Sequence, residues 1–423
     1  MLRLIYSVLV YLAAPLALAA LFLRGLRDPA YRGRLGERLG YVRLDAAGDA
    51  SGRLWIHAVS VGEVQAAAAL LRILQQRYPR YRLLVTTATP TGAQRVHLLF
   101  GDQVQHAYLP YDLPGAVRRF LSAARPTIAI VMEREIWPNL FCECASRGIP
   151  VLLASARLTE RSMRLLRRLA ALFAPAMEKV TVAAQTAVDA ERFQAIGAQA
   201  SRVHVTGNVK FDMEVDENLH QAGDALRASQ FPGRLVWVAG STHEGEEEQL
   251  LDAHQRVRLR YPDSLLVLAP RHPERFEPVR ARLKARGVRF ASRSVGAPTG
   301  ADTEVLLADT LGELPMFYAA GDIAFVGGSL VPVGGHNLLE PAALARPIVV
   351  GPHNFNSQDI ARMFLDSGAA VEVDSAAQLA KVIIDLAGDA ARRATMGNLG
   401  RQIVADNRGA AARVMQLIET SLR

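Results

Sequence analysis

GGSLVPVGGHNLLEPAALARPIVVGP, running from Gly327 to Pro352, is the stretch whose reading decides the fold. An apolar run ends at Val326, and two glycine pairs, Gly327-Gly328 and Gly334-Gly335, follow it. Helical spacing resumes near Asn337, with Glu340 in the first turn and Pro341 next, and a second apolar run covers Ile348–Val350. Glycines let a backbone approach a ligand closely. The free N–H groups and positive end of the following helix attract a phosphate, and Glu340 is placed to accept hydrogen bonds from ribose hydroxyls. The same pattern also fits a turn whose glycines serve backbone geometry alone. G-x-G-x-x-G and the P-loop are absent, which disfavours NAD and P-loop nucleotide chemistry.

Outward from this stretch, short apolar runs alternate with amphipathic helices. Strands are expected at Leu235–Ala239, Leu265–Ala269, Val288–Ala291, Val305–Ala308, Ile323–Val326 and Ile348–Val350. Helices fall between them at Glu246–Arg260, Glu277–Arg286, Leu314–Ala320 and Leu338–Ala345. An earlier series has strands at Leu54–Val59, Leu83–Thr87, Thr127–Met132, Val151–Ser155, Val180–Ala184 and Val203–Thr206. Such alternation implies parallel sheets covered by helices. The rhythm lapses into charged residues near Lys210–Pro232, which sets a domain boundary. The expected parts are an apolar anchor at 1–27, a Rossmann-like domain at 28–212 and a second Rossmann-like domain at 213–423. The last helices, Ala376–Leu386, Ala391–Val404 and Gly409–Leu422, cap the second sheet or cross back to the first domain.

A chain of 423 residues exceeds one ordinary core, since domains usually hold ~100–200 residues. Half the residues are hydrophobic and the formal net charge is +8. That moderate excess suits nucleotide phosphates, acidic lipids or a membrane surface; it falls short of what nucleic-acid binding calls for. Cys142 and Cys144 are too close for an ordinary disulfide and too few for a metal site, so they are read as free thiols in a reducing compartment. Leu4 to Leu23 carries no charge, and ~20 apolar residues suffice to span a bilayer. Pro15 leaves a kinked or interface-lying helix open. Arg24, Arg27, Arg32, Arg34 and Arg38 follow it, and the positive-inside rule then puts the globular body in the cytoplasm.

Five further motifs carry chemistry. APRHPERF, Ala269–Phe276, ends a strand, where Arg271 can pair with a phosphate. HAVSVGEV, His57–Val64, puts Glu63 at a helix start, where the macrodipole favours the ionised form and a carboxylate serves either as a general base or as a cap. VMEREIWPNL, Val131–Leu140, offers Glu133 and Glu135, of which at most one faces a ligand if the strand persists. GNVKFD, Gly207–Asp212, offers Lys210 to a phosphate or carboxylate. STHEGEEE, Ser241–Glu248, holds His243 beside acids, but no second ligand cluster accompanies it and a metal-free site is favoured.

Together with YRGRLGERLG, TTATPTG and YLPYDLP, these motifs resemble, nearly end to end, the Kdo (3-deoxy-D-manno-oct-2-ulosonic acid) transferases of Gram-negative bacteria. The resemblance implies the GT-B fold, with two Rossmann-like domains facing across a cleft and an N-terminal membrane-anchoring helix. It implies an inverting, metal-independent transfer of Kdo from CMP-Kdo to the lipid A precursor (lipid IVA) at the inner membrane. Glu63 then resembles the base, and Glu133 and Lys210 the transition-state stabilisers. Pro270, Arg271, Leu311, Gly312, Glu313, Asn337, Leu338, Leu339 and Glu340 resemble the CMP contacts, with no metal or other cofactor. Asn208 stands where some members have Ser, and NLLEPA where others read NPLEAA. The competing readings are a UDP-sugar transferase or epimerase of the same fold, and a non-catalytic membrane-anchored lipid-binding protein.

Overall fold

The computed structural model describes residues 1–45, 52–213, 218–296 and 299–422. The chain folds into two compact units, Met1–Met213 with Asn407–Arg423, and Glu214–Asp406. In the first unit the strands are β1 (Gly52–His57), β2 (Tyr81–Thr87), β3 (Gln105–Tyr108), β4 (Ile128–Met132), β5 (Val151–Ala156), β6 (Thr181–Ala184) and β7 (Val203–Val205). In the second they are β8 (Val236–Thr242), β9 (Leu265–Pro270), β10 (Phe290–Ser292), β11 (Val305–Leu307), β12 (Ile323–Val326), β13 (Ile348–Val350) and β14 (Ala370–Glu372). The first sheet runs β3-β2-β1-β4-β5-β6-β7 and the second β10-β11-β9-β8-β12-β13-β14. Neighbouring strands in both sheets are parallel. Both faces of a parallel sheet are buried under helices, so its strands read as continuous apolar runs. In β1, Trp55 enters one core while Leu54 and Ile56 enter the core on the other face.

β3 and β14 were not expected. Each is an edge strand of three or four residues, QHAY and AVE, whose polar residues break the apolar run. An edge strand is half-covered and so gives little hydrophobic signal. The charged stretch read as a lapse holds the Asn218–Gln230 helix, which buries Gly223 and Leu226.

The expectation that 213–423 forms one domain needs correction at its end. The Ala410–Leu422 helix belongs to the first unit. Its Ala410, Val414, Met415 and Ile418 share a core with Leu54, Ile56, Val64 and Leu70. The Asp212 carboxylate fixes the helix start, accepting from the N–H groups of Gly409 at 2.5 Å and Ala411 at 2.6 Å. Arg413 Nε donates to the Thr206 carbonyl at 2.8 Å. A chain terminus that returns to the opening domain leaves no local sequence signal, because only the partner surface identifies its home.

The N-terminal helix runs unbroken from Leu2 to Arg27 with Pro15 inside it. Its apolar window has a mean hydropathy of 2.2 and is 11% buried. One face docks on the first unit: Tyr6 Oη donates to Asp112 at 3.0 Å, Ser7 Oγ to Asn139 Oδ1 at 3.1 Å, and Gly115 N–H to Tyr11 Oη at 3.2 Å. Leu4, Leu12 and Leu16 point away from the protein and are 70%, 69% and 74% exposed. An exposed apolar surface this long marks an interaction site, with another protein or with a membrane.

Candidate active site

In open α/β sheets ligands bind beyond the carboxyl ends of the strands, where strand order reverses. The first sheet reverses between β1 and β4, the second between β8 and β12. Glu63 follows β1 and Glu133 follows β4; the His243 loop follows β8 and the Gly327–Gly328 turn follows β12. Topology alone therefore nominates both crevices. Glu133 (φ 56°) and Ser241 (φ 57°) hold left-handed backbone there, a conformation that costs a non-glycine residue about 1–3 kcal/mol and concentrates at functional sites.

In the first unit, Glu63 lies in the opening turn of the Val61–Arg77 helix and its Oε2 accepts the Val59 N–H at 2.7 Å. That bond resembles a capping box. The expected full ionisation does not hold. Burial, then the nearby Glu133 carboxylate, push the Glu63 carboxyl up to about 7, against the pull of the Val59 N–H and Lys210. Burial and a like charge outweigh the macrodipole, whose effect is seldom above ~1 kcal/mol. A carboxyl poised there exchanges a proton near neutral pH, which suits general acid–base work.

Glu133 is buried and gripped by two cations, Lys210 Nζ at 2.7 Å on Oε1 and Arg157 Nε at 3.0 Å on Oε2. Burial opposes its charge, but Lys210 and Arg157 together hold its pKa below the usual carboxylate value. Lys210 is the more open partner, with 22% of its side chain exposed against 4% for Glu133. β4 ends at Met132, so the alternation expected of Glu133 and Glu135 does not continue. Asn208, the departure from the family pattern, builds the turn that carries Lys210. Its Oδ1 accepts the Lys210 N–H at 3.0 Å, and its Nδ2 donates to Gln185 at 3.1 Å. Arg157 was missed in the sequence. It follows β5 just as Arg271 follows β9, so its strand-end position was legible, but its pairing with Glu133 was not, because that carboxylate lies on a neighbouring strand end.

In the second unit, Arg271 follows β9 with its N–H on the Thr242 carbonyl at 3.0 Å. Among the described residues its guanidinium has no ion-pair or hydrogen-bond partner, whereas Arg275 four residues on pairs with Glu244 and Glu247. Pro270 is buried at the strand end. Asn337 Nδ2 donates to Glu340 Oε1 at 3.1 Å, and Asn337 Oδ1 accepts the Leu339 N–H at 3.1 Å. Leu338 and Leu339 bury their side chains in the core, so they offer a ligand main-chain atoms only. Leu311 is exposed, Gly312 is left-handed at φ 86°, and Glu313 is held by Arg293 at 2.7 and 3.1 Å and by Thr310.

The first glycine turn closes on a buried carboxylate. Its N–H groups are not free for a phosphate. Glu246, wholly buried, accepts from Gly328 at 2.7 Å, Ser329 at 2.9 Å, Leu330 at 2.9 Å and His243 at 3.0 Å. The helix beyond spans only Leu339–Ala343, too short for a large dipole. Positive charge in this crevice comes from side chains instead. Among the described residues no group of three or more His, Cys, Asp or Glu gathers to hold a metal ion.

Two parallel-sheet α/β units, each with a crevice at its switch point, make up the GT-B fold. The UDP-GlcNAc 2-epimerase of Neisseria meningitidis has the same fold, with a TM-score of 0.58 over 87% of this chain and 100% of that one, at 14% identity. A family model described as 3-deoxy-D-manno-octulosonic-acid transferase (kdotransferase) matches residues 33–213. The 3-deoxy-D-manno-octulosonic acid transferase of Haemophilus influenzae is 40% identical over 99% of both chains. That of Bordetella pertussis is 39% identical over 92% of this chain and 91% of its own. The chain belongs to the 3-deoxy-D-manno-octulosonic acid transferase family, and is a glycosyltransferase.

Proposed function

We propose that the protein transfers Kdo from CMP-Kdo to the lipid A precursor, with inversion and without a metal, at the cytoplasmic face of the inner membrane. The observation that carries this reading is the Glu63–Glu133–Lys210–Arg157 cluster at the β1/β4 switch point, within the segment that the family model covers. An acceptor hydroxyl attacks the anomeric carbon of Kdo, its proton passes to Glu63, and the bond to the CMP phosphate breaks. Lys210 and Glu133 hold charge near the reacting sugar. In the second unit, Arg271 meets the phosphate as it gains charge, and Asn337 and Glu340 are the polar groups toward the nucleotide. The backbone at Leu311 and Gly312, and at Leu338 and Leu339, is the remaining nucleotide surface. Pro270 shapes the turn that carries Arg271, and Glu313 fixes the Leu311 loop through Arg293. The exposed apolar face of the N-terminal helix is the anchor.

Incubation with CMP-Kdo and lipid A precursor in EDTA, followed by mass spectrometry, should give product heavier by Kdo. A chelator-sensitive rate restored by a divalent ion would contradict the metal-free reading. Absence of product with or without metal would remove the activity. Arg271→Ala is expected to weaken CMP binding by ~2–4 kcal/mol, since a partly desolvated phosphate loses its charged partner. Titration calorimetry measures this, and an unchanged affinity would remove Arg271 from the site.

A further inference from the structure

Beyond Arg271, the carboxyl ends of β8, β9 and β12 bring together three imidazoles that the family pattern leaves unused. His243 and His336 place their Nε2 atoms 2.7 Å apart with ring planes only 4° from parallel. The His272 ring stands edge-on to His243, centroids 5.4 Å apart. Among the described residues no carboxylate pairs with any of the three rings or with Arg271. Gly328 admits the pair. Its φ is +69°, and a Cβ there would lie 2.9 Å from His336 Cδ2.

A contact between two Nε2 atoms holds one proton. In the neutral pair, one ring donates its Nε2–H and keeps a bare Nδ1, while the other accepts and carries its proton on Nδ1. A proton added at the bare Nδ1 leaves the contact intact. The pair then presents two Nδ1–H donors and one positive charge. The protein's own groups do not favour that state. Burial, then the neighbouring His and Arg groups, keep both rings below the usual imidazole value, His336 down to about 3. A bound anion supplies the missing counter-charge.

We propose that the His243–His336 pair is a proton-accepting part of the donor-phosphate site, taking up a proton when the nucleotide's anionic group docks at Arg271 and then donating hydrogen bonds to it. This rests on the donor reading above. The charged and titratable groups facing the pair are Arg271 and His272 after β9, and Arg275 beyond them. Glu246 lies beneath, its carboxylate taken by four backbone N–H groups. Glu244 is turned to Arg275. Donor affinity should therefore fall as pH rises. The acquired proton also stays beside the leaving phosphate as that group gains charge.

The test is CMP titration calorimetry on the full chain in two buffers of different ionisation enthalpy, comparing wild type with His336→Asn. CMP's own phosphate, with a second pKa of about 6, is mostly dianionic at pH 7.5, so the free ligand brings few protons of its own to either protein. At pH 7.5 wild type should take up more protons per CMP than His336→Asn does, the difference being roughly half a proton or more. His336→Asn should bind CMP about tenfold more weakly than wild type at pH 6.5, with a much smaller deficit at pH 8.5. His243→Asn should behave alike, which guards against a folding defect in one of the two proteins. Equal proton counts in wild type and both substituted proteins would overturn the proposal while leaving the donor site standing. Wild type that binds no CMP at any pH would overturn the donor reading and the proposal with it.

Discussion

Glu63→Gln is expected to lower turnover by ~10²–10⁴-fold, the span of a general-base contribution, with melting temperature and CMP affinity close to wild type. Glutamine keeps an oxygen for the Val59 N–H, the bond that Glu63 makes at 2.7 Å. It cannot take the acceptor's proton. Glu133 is unsuited to replace it, since both its oxygens are engaged by Lys210 and Arg157 and its charge is held in place. The sign of the pH dependence follows from the carboxyl near 7. Only the deprotonated form accepts a proton, so wild-type turnover should rise as pH passes upward through about 7 and level off above it. A residue that merely caps its helix gives the opposite pattern: a stability loss of ~1 kcal/mol on removal to Ala, and near-normal turnover with no titration at this pH. Turnover of Glu63→Gln within a few-fold of wild type would end the base assignment.

Both sheets were legible in the sequence because parallel strands buried on two faces are nearly uninterrupted apolar runs. Ile323–Val326 and Ile348–Val350 fall where the expected strands lay. The positions of Glu63, Glu133 and Arg271 were legible for the same reason, as each follows the end of such a run. What the sequence withheld is everything set by a partner distant in the chain. The Glu63 carboxyl was expected to be ionised from its helix position alone, but its burial and the proximity of Glu133 come from tertiary packing. Arg157 and Lys210 are 53 residues apart in number yet share one carboxylate. The His243–His336 contact joins loops separated by 93 positions. The glycine pairs signal only that backbone comes close to something, and the identity of that something lies elsewhere in the chain.

For Gly328 the partner of its N–H is Glu246, and substitution of Glu246 should carry the largest stability effect of any single acidic residue in the second unit. The run STHEGEEE puts four glutamates within five residues, and by pattern all are helix-start acids of similar modest worth. The structure separates them. The Glu244 side chain is 78% exposed with one long ion pair to Arg275. Glu246 is fully buried, and its two oxygens collect four backbone N–H groups from the His243 and Gly328–Leu330 turns. Burial pushes its pKa up, and the four donors pull it back. Glu246→Gln keeps shape but swaps one oxygen for an NH₂ group, so two buried N–H donors lose their acceptor and meet another donor. Each unsatisfied donor costs about 1–3 kcal/mol, giving a loss of ~2–6 kcal/mol and a fall in melting temperature of roughly 4–24 °C. Glu244→Gln should change stability by less than about 0.5 kcal/mol. Because the Gly328 turn also seats His336, Glu246→Gln should weaken CMP binding even below its melting transition, a combination that a generic core defect does not require. Denaturation of both substituted proteins beside wild type, with CMP titration on the folded fraction, reads out each part. Equal melting of Glu246→Gln and Glu244→Gln would mean that the glycine turn holds its shape without the buried carboxylate, and the N–H groups of Gly328, Ser329 and Leu330 would then be available to a phosphate after all.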